Sequence, residues 1–261
     1  MLLDLDKKLH AVTSIVDRDV LKPVERVVTL PFRMLPDEVT LQPKMPAYQA
    51  IPKAELAKAE ARSTGATTQQ RVIQNKEGNK CEPVVLKVAA TQEELTALLE
   101  KQGWIKADHL TVWNSTKSSV SMLLKATGLS HLIDYNYQAS PMTEMYIDGQ
   151  LQAMAFNKNN DHHEARDHLR IFDSGKRDAK GRPVWEIAAT RDVSLQVKIP
   201  SFGKGHTTDT AIDAERDLIM SDLLKGGVAN WRVAQGKLSD ADAPGVADTY
   251  TTDGKVYVVD L

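Results

Sequence analysis

Cysteine is nearly absent: Cys81 is the single one in 261 residues. No intrachain disulfide can therefore form, and no thiolate metal cluster can be built within one chain. No base is placed beside Cys81 in the sequence, so it reads as a plain thiol rather than a nucleophile. Long apolar runs are missing as well. None approaches the ~20 residues that a membrane span needs, so no integral membrane segment is expected. The opening residues Met1-Leu2-Leu3-Asp4-Leu5-Asp6 carry acids where a signal peptide would carry bases. The expected location is the cytoplasm, with association to the cell envelope as the alternative. There is no broad basic run and the net charge is −2, which argues against a nucleic-acid partner. The phosphate-cradling P-loop, the G-x-G-x-x-G turn, the G-x-S-x-G elbow and the zinc-binding H-E-x-x-H spacing are all absent. Gly203-Lys204-Gly205 could approach an anion, but a lone Gly-x-Gly is too common to count.

What is present is ordinary globular composition, 42% hydrophobic and 26% charged, enough for one large domain or a domain with an arm. Leu2, Leu5, Leu9, Val12 and Val16 repeat at spacings of three and four, an amphipathic helix with a heptad-like seam. Two heptads are too few to stand alone, so this helix packs either on the body of the protein or on a partner chain. Six of the eleven prolines lie between Pro23 and Pro52, which predicts extended, irregular backbone over 31–52. Residues 53–62 are rich in Ala, Lys and Glu and suggest a short helix, and 63–80 are polar and aperiodic, the composition of a linker. Residues 1–80 thus read as an arm, and residues 81–261 as the domain.

The domain opens with a strand at Val84–Val88. Thr91 and Glu94 then form a capping-box pattern, Leu95, Leu98 and Leu99 an apolar stripe, and Gly103 a C-terminal stop. A second helix is predicted near 119–127. Beyond it the period changes to two. Asp148-Gly149 is a hairpin turn signal between 143–147 and 150–156, and strands are predicted at 167–172, 184–190, 193–199, 228–233 and 255–259. Thr210 and Asp213 suggest a capped helix ending at Gly226-Gly227, preceded by a loop over 200–209. The expected class is α+β: a mostly antiparallel or mixed sheet with about three helices, carrying an extended N-terminal arm.

Two polar clusters could carry chemistry. Five of the seven histidines lie between His131 and His206. Around Asp161-His162-His163-Glu164, the strand that follows places His168 and Arg170 on one face. From Gly205 to Asp217, thirteen residues hold His206, Asp209, Asp213, Glu215, Arg216 and Asp217. Arg216 falls inside the apolar stripe of its helix, so it must be paired or must snorkel. If the clusters meet, imidazoles and carboxylates would share a cleft able to bind a divalent metal, or to act as acid, base and anion clamp. The alternative is a structural network of ion pairs. No metal ligand set and no cofactor is assigned.

Several segments resemble the LssY C-terminal domain family. They are Lys101-Gln102-Gly103-Trp104, Ser140-Pro141 with Tyr146-Ile147-Asp148-Gly149-Gln150, His168-Leu169-Arg170, and Gly181-Arg182-Pro183-Val184-Trp185 with Ala188 to Asp192. The most distinctive is His206 followed by Ile212-Asp213-Ala214-Glu215-Arg216-Asp217, and the chain closes on Thr252-Asp253-Gly254-Lys255-Val256. The resemblance covers residues 83 to the end. It implies a bacterial domain, often fused behind a membrane-bound lipid-phosphatase domain, named for an ascribed role in secretion and carrying no assigned activity. The phosphatase signature itself is missing from this chain. Family-typical positions fall on His168, Arg170, Trp185, Asp192, His206, Asp213, Glu215 and Arg216. The family's paired histidines before the arginine stand here as Asp167-His168, and its following tryptophan as Phe172.

Two functions are therefore expected in competition. One is a binding or interaction module that joins an envelope, secretion or other multi-protein assembly, with a protein partner or a second copy held through the arm. The other is a hydrolase of a phosphate or other acidic ester. It would use His168, His206, Asp213 and Glu215 for catalysis and Arg170, Arg216, Asp192 and Asp209 to bind substrate.

Overall fold

A computed structural model describes residues 38–41, 45–63, 65–111, 113–115, 117–118, 121, 137–158, 166–198, 203–238 and 250–261. Of these, 38–39, 41, 195–198 and 203–206 are described by their backbone alone. The heptad-spaced N-terminal segment, His131, the His162-His163 pair and most of the helix predicted at 119–127 lie outside the described residues.

The elements in order are β1 (Glu38–Leu41), α1 (Lys53–Ala61), β2 (Thr67–Gln70), β3 (Val72–Gln74), β4 (Lys80–Ala89), α2 (Gln92–Lys101), β5 (Ile105–Lys106), β6 (Tyr146–Ile147) and β7 (Gln150–Leu151). They are followed by β8 (Met154–Lys158), β9 (Arg166–Arg177), β10 (Pro183–Lys198), β11 (Gly203–Thr208), α3 (Ile212–Lys225), β12 (Asn230–Leu238) and β13 (Lys255–Asp260). The sheet runs β2-β12-β13-β4-β10-β9-β8-β5, with β1 and β11 flanking the far half of β10. Most pairings are antiparallel, and β13–β4 and β12–β2 are parallel. The class is α+β with a mixed sheet.

Local signals account for the best-defined pieces. Thr91 accepts a hydrogen bond from the Glu94 amide and Glu94 reaches back to the Thr91 amide, closing the capping box of α2. Asp148 and Gly149 take φ of 50° and 79°, the left-handed pair that a tight hairpin between β6 and β7 requires.

One sheet face carries the helices. Leu86, Val88, Trp185, Ile187, Leu169 and Ile171 pack there against Leu95, Leu99, Ile212, Ile219 and Leu223 in the main core. On the other face a smaller cluster joins Ile73, Val84, Ile147, Phe172 and Ala188. The partition follows from strand alternation: odd residues of β9 and of β10 as far as Arg191 point to the helices, even ones away from them.

The arm is shorter than the sequence suggests. Residues 63–80, expected as a linker, supply β2 and β3, and Ile51, Ala59, Val72 and Ile73 are buried. Part of the burial here is polar, which composition cannot signal. Gln70, 2% exposed, donates from Nε2 to the Val84 carbonyl at 2.9 Å, Lys87 Nζ donates to the Gln69 carbonyl at 2.7 Å, and Arg71 pairs with buried Glu186. The loop expected over 200–209 is largely the strand β11.

No helix among the described residues is long and apolar enough to cross a membrane.

Candidate anion-binding pocket

Strand alternation sets Arg166, His168 and Arg170 in a row on the face of β9 turned away from the helices. Thr190 and Asp192 come from the same face of β10, and Glu82 from the start of β4. These side chains line a cavity of about 440 Å³, whose remaining wall includes Cys81, Ser118, Ser140, Met145, Thr208 and Tyr250. Arg166, His168, Arg170, Glu82, Thr190 and Asp192 are all more than nine-tenths buried.

The charges are partly matched. Arg170 Nη1 donates to Glu82 Oε1 at 2.7 Å, while Arg166 Nε stands 3.6 Å from Asp192 Oδ2, too far for a hydrogen bond. Among the described residues, Nε and Nη1 of Arg166 and Nε of Arg170 have no hydrogen-bond partner. Burial lowers the Arg166 pKa, Asp192 opposes the shift, and the nearby Arg170 charge adds to it. The Arg166 guanidinium nonetheless stays cationic at neutral pH.

His168 is held at both ring nitrogens. Its Nδ1 lies 3.4 Å from Arg170 Nη1, and its Nε2 lies 2.9 Å from Thr190 Oγ1 and 3.4 Å from Asp192 Oδ1. Arginine has donors only, so Nδ1 must be the acceptor and Nε2 carries the proton. In that tautomer His168 donates to Thr190 and cannot take its proton. The Cys81 thiol is pushed up in pKa by burial and then by Glu82, which keeps it protonated and a weak nucleophile. Burial, then Glu82, likewise raises the Tyr250 hydroxyl. Among the described residues no group of three or more His, Cys, Asp or Glu side chains could hold a metal ion.

The structure separates the residues expected to share a cleft. His168, Arg170 and Asp192 do line one pocket. Glu215 lies on the helix side of the sheet, 3.8 Å from Arg191, and Asp209 takes the Tyr48 hydroxyl at 3.0 Å. Asp213 and Arg216 lie outside that pocket and close a joint between α3 and the turn before β13. Arg216 Nη1 donates to Asp213 at 3.1 Å, to Asp253 at 2.6 Å and to the Lys255 carbonyl at 3.0 Å, and Nε donates to Asp217 at 3.2 Å. Its guanidinium also stacks on Tyr257 with 4.4 Å to the ring centroid. Asp213 in turn accepts from Thr252 Oγ1 at 2.8 Å and from the Asp253 amide at 2.7 Å. It caps the closing turn of the chain and not its own helix, and α3 starts at Ile212 with no side-chain cap. The backbone of His206 pairs with Leu195 in β11, and its side chain is outside the described residues.

The sequence reading passes over Arg166, Glu82 and Thr190. Arg166 sits two residues before His168, so the strand period points to it once the strand is begun one residue earlier than 167. Thr190 is found the same way from Asp192. Glu82 carries no local signal, because only the β4–β10–β9 register brings it to Arg170.

A family model described as LssY C-terminus matches residues 66–256, most of the chain and nearly all of the sheet. The chain belongs to that family. A glycerol kinase from Mycoplasma capricolum subsp. capricolum is 31% identical over 65 residues, covering 25% of this chain and 12% of the kinase. That likeness is local, and this chain spans a small part of that relative's length. No solved structure matches.

Proposed function

We propose that the domain is a binding module whose pocket holds its ligand through a compact anionic group, a carboxylate or a phosphate. The observation that carries this reading is Arg166: a buried cation with two nitrogens that find no acceptor among the described residues, opening on a cavity beside a second arginine. Buried donors are almost always satisfied, and an oxyanion would complete both guanidinium groups at once. In the same reading the residues before 38 carry attachment to a protein partner or a second copy, which the heptad-spaced Leu2, Leu5, Leu9, Val12 and Val16 suggest.

Calorimetric titration with inorganic phosphate and with acetate tests the pocket. One of the two binds the intact chain, and Arg166→Met weakens that binding by about tenfold or more, the loss expected for one charge-assisted hydrogen bond. Binding of neither probe, or equal binding by the variant, overturns the proposal.

The hydrolase reading draws support from the 2.9 Å contact between Thr190 and His168. The tautomer that Arg170 imposes counts against it, because a histidine already donating to the hydroxyl cannot serve as its base.

A further inference from the structure

On the opposite face of β9 and β10 a second ionisable group lies beneath the segment 45–52. Asp167 is fully buried and Glu215 is 1% exposed. Arg191 Nε pairs with Asp167 and stands 3.8 Å from Glu215 Oε2. From the same guanidinium Nη1 donates to the Pro46 carbonyl at 2.9 Å, and Cζ lies 3.7 Å from the centroid of the Tyr48 ring. The Tyr48 hydroxyl donates to Asp209 Oδ2 at 3.0 Å, and Asp209 Oδ1 takes the Ala211 amide at 2.9 Å. Among the described residues, no donor gives a hydrogen bond to either oxygen of Glu215.

One guanidinium cannot neutralise two buried carboxylates. The arrangement is stable when Glu215 is a neutral acid whose hydroxyl donates to Asp167, leaving Arg191 to pair with Asp167 and hold Pro46 and Tyr48. We propose that the Asp167–Glu215 pair is a proton-operated latch that fastens the segment 45–52 to the sheet.

Removing the shared proton puts two anions beside one cation, and water must enter to hydrate the new charge. Among the described residues four groups face Glu215: Asp167 from β9, Arg191 from β10, Asp209 from the turn before α3, and Tyr48 from the covering segment. Helix α3 cannot yield first, because Arg216 ties it to Asp253 and Ile212, Ile219 and Leu223 seat it in the core. In the segment only Ile51 is a buried hydrophobic anchor. The segment therefore lifts first.

The sign follows from the direction of the shift. Burial, then the Asp167 charge, raises the Glu215 pKa well above its ordinary 4.5. Its contribution to holding the segment is thus complete below about 4.5 and is lost as pH rises through the raised value.

Hydroxyl-radical footprinting of the full chain, read by mass spectrometry, tests the latch. From about pH 5 to about pH 9, Tyr48 oxidation rises about threefold or more, against a ceiling of about tenfold per pH unit for one proton, while buried Tyr257 stays protected. Glu215→Gln keeps a donor toward Asp167 but cannot ionise, so its Tyr48 oxidation stays flat. Asp167→Asn leaves one carboxylate for Arg191 and flattens the profile too, which covers the case in which the first variant fails to fold. Constant wild-type oxidation across the range, or the same rise in either folded variant, overturns the proposal.

Discussion

Arg216 shows how a charge is kept in a core. It is 2% exposed, and three aspartates, a backbone carbonyl and an aromatic face take up its donors and its plane. Replacing it removes the cation that joins Asp213, Asp217 and Asp253, whose side chains are themselves 30–39% exposed, so Arg216→Ala should cost about 1–3 kcal/mol in urea unfolding. The need for a partner was legible in the sequence, because the residue lies on the apolar stripe of α3 with Asp213 three positions back. Asp253 was not, because it follows by 37 residues and only the turn before β13 delivers it. The same limit applies in the pocket. His168 and Arg170 declare themselves by alternation, whereas Glu82, the partner of Arg170, is 88 residues away in the chain.

Elements built from local signals were the ones legible in advance. In α2 the cap, stripe and stop lie within thirteen residues, and Thr91→Ala should lower stability by about 1 kcal/mol through loss of the capping box. The start of α3 is misjudged because a tertiary demand takes its capping carboxylate: Asp213 serves Thr252 and Asp253 instead of its own first turn. Strands β2 and β3 escape notice because they are only four and three residues long, too short for an apolar period, and because Gln70 is buried through a hydrogen bond. Their docking leaves a tight spot. A Cβ at Gly236 would stand 2.7 Å from the Gly254 carbonyl and 2.6 Å from Gln70 Oε1. Gly236→Ala should therefore destabilise by about 1–3 kcal/mol, measured as a shift in the urea midpoint, since the backbone on one side cannot move aside cheaply.

At the scale of the whole molecule, the sheet keeps two polar centres apart, the cavity lined by Arg166, His168 and Arg170 on one face and the proposed carboxyl latch on the other. Residues 45–80 belong to that body: α1 and β2 pack on or pair with β12, β3 pairs with β4, and Arg71 with Lys87 satisfies Glu186. A chain beginning after residue 80 should thus fail to fold cooperatively, with no sharp transition in circular dichroism on heating. A sharp transition would show that the sheet from β4 onward suffices.

The two centres share strands β9 and β10, and they are kept apart by parity alone. Inserting or deleting one residue between Arg166 and Phe172 would turn the arginines and His168 in among leucines, and send Asp167 out into the ligand cavity. Reading-frame-preserving edits of this strand should survive, if at all, only as pairs of residues, a constraint harsher than any that substitution at a single position imposes.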